Sequence, residues 1–417
     1  MIRLSGFQSF SVSAFQPNRP VIVAYSGVHQ AFQIALAAEE AGLLEMFYGS
    51  IFDAPGQWGR WLGVLLGQPT MLNRRITGVP RSRLQEFPVP FLLHRFASAF
   101  PLSRGSYPWY QANFAFDRAV ARCVSASECR LVVGTETCAR DSFRAAGERG
   151  MLKVLDCPQV HPDFLTSLLA QAAEALGEPP PVPFDPPELA ARKAEEFAMA
   201  DVLLVLSEVH RRSFLANGFA AERLVPIPLW VDTQLWQPPV APPVRDARAP
   251  LQVLFVGGIG LRKGIPWLIR AVEQCGPGVQ LTLVGVNSGE TDRFLARSPA
   301  AIRLAGKKNK AELRALYGAA DVLVLPSLVD TFGFVALEAM ACGLPVIVTD
   351  NCGVPVPDPA WRVPVMNSDA IAQRLEYYAR NRDALVSDGK IAGQFAQQFT
   401  PERYREQIKH LLKQLLG

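Results

Sequence analysis

Apolar residues gather in short runs along this chain, at 21–25, 131–133, 152–155, 202–206, 251–256, 281–284, 302–304, 322–325 and 346–348, interrupted only by Lys153, Gln252, Thr282 and Arg303. Most are rich in Val, Leu and Ile, and most stop at glycine, serine or an acid: Ser26-Gly27, Gly134-Thr135-Glu136, Asp156-Cys157-Pro158, Ser207, Gly257-Gly258, Gly285 and Gly306. A continuous apolar run of this length predicts a strand covered on both faces, the habit of parallel sheets. Between the runs the spacing turns helical. Residues 30–40 are closed by Gly42, and 188–199 precede Ala200-Asp201. A helix is predicted from about Ile265, another begins within 312–317, and 332–341 is closed by Gly343. After Val348 the chain is irregular from 350 to 364, a further helix starts near Asp369, and 401–416 forms a last amphipathic helix.

Strand, glycine turn and helix repeated in this way predict an α/β protein built from two Rossmann-like domains. The division falls at 237–250, where Pro238, Pro239, Pro242, Pro243 and Pro250 make a semi-rigid linker. The expected plan is a first domain at 1–236, a second at 251–400 and a closing helix at 401–417.

Composition narrows the partners. The 417 residues are 49% hydrophobic with a net charge of +4, which describes a globular chain with a mild basic excess. Seven scattered cysteines include no C-x-x-C pair, which argues against a disulfide scaffold or a zinc site and for a reducing cytoplasm. None of the five histidines has metal-ligand spacing. Residues 1–20 lack the apolar core of a signal peptide, and no run approaches the roughly 20 apolar residues of a spanning helix. Residues 52–105 differ from the rest. Trp58 and Trp61 precede, and Phe87 and Phe91 follow, a cluster of Arg74, Arg75, Arg81 and Arg83. Such a segment suits an anionic membrane surface, and equally a pair of core helices with a solvated basic loop. Nothing in the charge pattern calls for nucleic acid.

Chemistry concentrates in two places. The first is 319–349, read as strand, polar loop, helix and strand, with Asp330 in the loop and Glu338 on an otherwise apolar helix. A buried carboxylate needs partners; a structural arginine or sugar hydroxyls would both serve. The second is the turn Gly257-Gly258-Ile259-Gly260-Leu261-Arg262-Lys263-Gly264. Lys263 stands where a dinucleotide fingerprint needs its third glycine, and no Gly-Lys-Ser/Thr follows for a Walker loop. Glycines with two cations at a helix start make a diphosphate site, or else a solvated basic pair.

The first stretch resembles the donor-binding signature of the retaining glycosyltransferases of family four, the glycosyl transferases group 1, which have the GT-B architecture. Ser327 matches the signature's serine and Glu338 its second glutamate. Asp330 takes the place of the first glutamate, and Thr331-Phe332-Gly333 that of the small-aromatic-small triplet. The resemblance implies two domains facing across a cleft, with the final helix packing back toward the first domain. It also implies a retaining transfer from a nucleotide-diphosphate sugar to a glycan or lipid-linked acceptor, without cofactor or metal. On that basis Gly27, Gly258, Ser327, Phe332, Gly333, Phe334, Val335 and Glu338 bind the donor, and His29 and Gln30 lie near its phosphates. Lys263, Arg262, Asp330 and His161 are the catalytic candidates, with Asp156 a rival to His161. Gly258 occupies the position of the family's arginine, so Arg262 is expected to replace it. Residues 224–231 resemble the family's exit strand, with Trp230 where the family has glycine and a new cleft contact expected from it. A cytoplasmic enzyme, with the inner membrane face as a docking place, follows from the same likeness. A nucleotide-sugar epimerase or hydrolase and a non-catalytic interaction subunit are the alternatives.

Overall fold

The computed structural model describes residues 19–28, 30–53, 74, 76–99, 109–179, 183, 185–239 and 249–417. His29, Trp58, Trp61, Arg75, Pro242 and Pro243 lie outside them. Among the described residues the apolar runs become strands, and the strands collect into two parallel sheets. The first comprises β1 (Val21–Tyr25), β2 (Leu44–Gly49), β3 (Leu84–Glu86), β4 (Leu131–Thr135), β5 (Leu152–Asp156), β6 (Val202–Val205) and β7 (Leu224–Pro226). The second comprises β8 (Leu251–Val256), β9 (Val279–Val284), β10 (Ile302–Gly306), β11 (Val322–Leu325), β12 (Val346–Thr349) and β13 (Arg362–Val363). Their spatial orders are β3-β2-β1-β4-β5-β6-β7 and β10-β9-β8-β11-β12-β13. Each order reverses direction beside the first strand of its domain. In an open parallel sheet that reversal opens a crevice past the carboxyl ends of the strands. The loops after β1 and β4, and those after β8 and β11, therefore flank the two crevices.

The strands form where they do because both of their faces are covered. Each residue of β4, β6, β11 and β12 is buried. The Asp321 carboxylate holds the entry to β8 by accepting the Gln252 N–H at 2.7 Å. The helix Lys310–Ala319 begins with a reciprocal capping box between Asn309 and Glu312.

Several boundaries move from the sequence expectation for identifiable reasons. The helix expected at 332–341 starts two residues later, at Phe334, because Gly333 has φ +80° and cannot belong to a right-handed helix. The exit strand expected at 224–231 ends at Pro226, since proline lacks the N–H a ladder needs. The Trp230 ring packs 4.6 Å from that of Tyr404 in the final helix. That helix, Pro401–Leu416, crosses back to the first domain. Arg405 and Lys409 pair with Glu40 at 2.9 and 3.2 Å, and Arg130 reaches the Leu416 carbonyl at 2.9 Å.

Two close backbone approaches shape the crevice of the second sheet. Gly264 has φ +70°, and a Cβ there would stand 1.8 Å from the Pro326 carbonyl oxygen. A Cβ on Gly285 would stand 1.8 Å from the Gly257 oxygen. The loops after β8, β9 and β11 are thus pressed together. Gly264→Ala should destabilise the protein by at least about 2 kcal/mol, through both the left-handed backbone and the collision. Gly218→Ala, also left-handed at φ +82° but with open space around it, should cost only about 1 kcal/mol. Urea unfolding of the two variants checks the difference.

Candidate active site

The turn after β8 and the loop after β11 meet at the close approach of Gly264 to Pro326. Leu328 donates its N–H to the Arg262 carbonyl at 2.9 Å, locking the two segments in register. Across that contact the Lys263 ammonium bonds Oδ2 of the Asp330 carboxylate. Both side chains are mostly buried, at 17% and 15% exposed, so the pair is neither free in water nor fully removed from it. Sequence reasoning placed the two residues in separate roles; the structure joins them.

The Arg262 guanidinium next to this pair has no side-chain hydrogen bond or ion pair among the described residues. Gly258, where the family's arginine was expected, has nothing within 4 Å of its Cβ position. Crowding therefore does not explain the missing arginine.

Past Asp330 the chain turns through Phe332, which is buried, and left-handed Gly333. A Cβ on Gly333 would approach Cys352 Sγ to 2.7 Å. The helix Phe334–Ala341 then begins with no side-chain cap and no acidic residue in its first turn. Its opening amides are left for an outside acceptor, with the helix dipole behind them. Phe334 is 40% exposed beside this mouth and meets Phe332 edge-on at 5.4 Å; Val335 is half-buried.

Glu338 lies one turn along the same helix. Its partner is not an arginine: the Tyr317 hydroxyl donates to Oε2 at 3.1 Å. Burial pushes the carboxyl up to about 7, against the opposing pull of the Tyr317 bond and of Lys310. The Ser327 hydroxyl is fully buried and has no partner among the described residues. Among the described residues, no group of three or more His, Cys, Asp or Glu side chains could hold a metal ion.

The facing domain contributes differently. His161 caps the helix Pro162–Ala175, its Nδ1 accepting the Asp163 N–H at 3.3 Å. Its ring sits within 5.4–5.7 Å of Phe197, Phe214 and Phe219, and burial lowers its basicity. No hydrogen bond or ion pair joins it to Lys263 or Asp330 among the described residues. Asp156, at the carboxyl end of β5, is buried and takes a 3.3 Å bond from Gln30 Nε2. Burial raises it to about 7. Gly27 turns tightly over the Tyr25 ring, 2.6 Å from its would-be Cβ.

Between the domains is a cavity of ≈ 440 Å³. Gly258, Arg262 and Lys263 line one side; Leu169, Ala173 and Leu176 of the first domain line the other. Glu178 and Arg293 form an ion pair at its rim, one residue from each domain. Three cross-domain contacts had no signal in the sequence: this pair, the Ser207 hydroxyl bond to the Thr331 carbonyl at 2.7 Å, and the Arg212 bond to Asn351 at 2.9 Å. Ser207 was legible only as the residue that ends a strand.

This arrangement defines the class. Two parallel-sheet domains with cations and an uncapped helix mouth at the second crevice form a GT-B fold. The whole-chain likeness is to the Anabaena protein HepE in complex with UDP (17% identity, TM-score 0.61, 94% of this chain and 99% of that one). Sucrose-phosphate synthase from Thermosynechococcus elongatus is similar in the same way (20% identity, TM-score 0.59, 95% and 99%). Residues 250–381, within the second domain, match the family described as Glycosyl transferases group 1. Among curated proteins the chain is 29% identical over 255 residues to a D-inositol 3-phosphate glycosyltransferase of Corynebacterium aurimucosum, covering 54% of this chain and 61% of that one. It is 30% identical over 220 residues to the Mycolicibacterium smegmatis protein of the same description, covering 48% of each. The chain thus spans about half to three-fifths of the relatives it matches.

The Glu338 environment has a testable consequence. Its folded value, about 7, lies above its ordinary 4.5. The folded state therefore holds a proton that the unfolded chain releases, and stability falls as pH rises through about 7. Glu338→Gln removes the ionisation. It should be more stable than the parent at pH 8 by roughly 1–3 kcal/mol and close to it at pH 5. Urea melts at the two pH values check this.

Proposed function

We propose that the protein is a glycosyltransferase. It moves a glycosyl group from a nucleotide-diphosphate sugar to an acceptor hydroxyl, with retained configuration, the acceptor being a glycan or lipid-linked glycan. The observation that carries this reading is the Lys263–Asp330 pair set beside an uncapped helix mouth at the second crevice. The names of the curated relatives and the UDP in a structural neighbour support it.

The physics is stabilisation of a leaving group. As the bond from the sugar to the diphosphate breaks, charge grows on the phosphate oxygens. Lys263, Arg262 and the amides of Phe334 and Val335 are fixed donors aimed at that charge. Asp330 holds the ammonium in place while the site is empty, and its second oxygen is available to sugar hydroxyls. Glu338, with one oxygen bonded by Tyr317, receives the ribose hydroxyls on the other. Ser327 offers its unpartnered hydroxyl at the same loop. The acceptor enters through the ≈ 440 Å³ cavity, whose polar side carries Arg262 and Lys263.

A membrane-linked acceptor is the second part of the proposal. Among the described residues no helix is long and apolar enough to cross a membrane. The helix Pro88–Ala99 does expose Val89 (62%) and Leu93 (54%). Flotation with anionic against neutral liposomes tests surface docking; equal recovery removes it.

Calorimetry with UDP, GDP and ADP, followed by transfer assays with the matching sugars, tests the function; no nucleotide binding at all would refute it. Lys263→Ala should lower turnover about 100-fold or more through lost charge stabilisation, and a near-normal rate would remove that role. Gly258→Arg places a second guanidinium in open space at the same turn. It should tighten nucleotide diphosphate binding about 5- to 10-fold, as expected for one charge-assisted contact.

A further inference from the structure

The loop that carries Asp330 holds two apolar residues, Leu328, which joins the main core, and Val329, which does not. Val329 is 1% exposed, and its burial comes from the other domain. It belongs to a small cluster with Val160, Leu165, Leu168 and Val209, bordered by Phe164 and Leu169. All of these except Val329 precede the linker, so the second domain contributes a single plug to a socket formed by the first.

The backbone around the plug is gripped from both sides. Within the second domain, the Asp330 N–H bonds the Asn351 carbonyl at 2.9 Å, and the Asn351 side chain bonds the Leu328 carbonyl at 3.0 Å. From the first domain, Ser207 bonds the Thr331 carbonyl and Arg212 bonds the Asn351 side chain. Gly353 lies at the crossing point. A Cβ there would stand 2.1 Å from the Thr331 oxygen and 2.4 Å from Ser207 Oγ. The residues immediately before and after Asp330 are thus both held by the first domain.

We propose that Val329 is a positioning residue: seating it in the first-domain socket fixes the loop so that Asp330 meets Lys263, making domain closure and site assembly one event. The inference deepens the glycosyltransferase reading and rests on it for the catalytic consequence. If the domains part, Val329 loses its apolar surroundings and the loop loses the Ser207 bond. Asp330 then keeps only its own domain's contacts. A donor can still reach Glu338 and the helix mouth, which belong wholly to the second domain. Nucleotide binding and turnover should therefore separate on substitution.

The test compares Val329→Asp, Val329→Thr and Val329→Ile with the parent in the full chain. Val329→Thr keeps the shape and exchanges one methyl for a hydroxyl, so it carries the comparison if the aspartate variant does not fold. X-ray scattering, without ligand and with saturating UDP, reads closure without reference to activity. Calorimetry with UDP and steady-state transfer give Kd, KM and kcat. The polar variants should show a larger radius of gyration than the parent in the same solution. Their UDP affinity should stay within threefold and their kcat should fall at least tenfold; Val329→Ile should restore both dimension and rate. Unchanged radius and rate in the polar variants would overturn the proposal. So would a Val329→Ile variant as impaired as Val329→Asp, or a loss of UDP affinity equal to the loss of kcat. Should the parent neither bind UDP nor transfer sugar, the glycosyltransferase reading falls separately, and scattering alone decides whether Val329 holds the domains together.

Discussion

The contact on which the site depends is a backbone one. Gly264 lies so close to the Pro326 carbonyl that only hydrogen fits between them. That proximity, with the Leu328 N–H to Arg262 carbonyl bond, sets the turn after β8 against the loop after β11. The Lys263–Asp330 pair spans the same two segments. A half-buried ion pair gains little net stability, because each charge gives up much of its water to reach the other. What the pair supplies is a cation already oriented and partly desolvated, so that little reorganisation is needed when an anion arrives. A close approach that only glycine permits holds the two segments, and with them the charge, in place.

The first domain treats its charges in the opposite way. Arg192 and Lys193, adjacent on one helix, are 1% and 3% exposed. Arg192 is consumed by Asp117, Asp141 and Glu196, and Lys193 by Glu136 and Asp185. Glu196 also accepts the N–H groups of Thr137, Ala139 and Arg140, holding Thr137 at φ +79° after β4. These buried ions shape a loop and offer no free cation. The unengaged Arg262 is in the second domain, at the mouth where the uncapped helix points. Under the proposed function the asymmetry is a physical reason for an anionic donor to choose the second crevice, although the first six strands of the first sheet are ordered like the six of the second.

What could be read from the sequence follows from the range of each signal. The strands at 21–25, 251–256 and 322–325 were placed to the residue, because buried apolar runs end abruptly at glycine, serine or proline. The helix after Asp330 was placed two residues early, since the left-handed state of Gly333 leaves no mark on periodicity. Two prolines in 224–231 were given too little weight against the apolar pattern around them. Glu338 was recognised as a buried acid in need of a partner, but Tyr317 lies on an earlier helix and no spacing rule links them. The Ser207 bond to Thr331 joins residues 124 apart and had no local signal. Leu328 and Val329 stand side by side among Ser327, Asp330 and Thr331, and the sequence does not show that one packs into its own core and the other against the first domain.

Closure and electrostatics constrain each other in this geometry. Lys263 and Asp330 attract more strongly when water is excluded, and the first domain excludes water by covering the loop between 329 and 331. An open arrangement would leave the ammonium hydrated and mobile, a weaker partner for a departing diphosphate. A closed arrangement without Asp330 would bury an unpaired cation at considerable cost. The pair therefore favours the closed form only when both partners are present, and under the proposed function an incoming diphosphate would take the place of Asp330. On this account the short side chain at position 330 suits a temporary counter-ion. It is close enough to hold the ammonium and, with a single methylene, weakly enough anchored to be displaced.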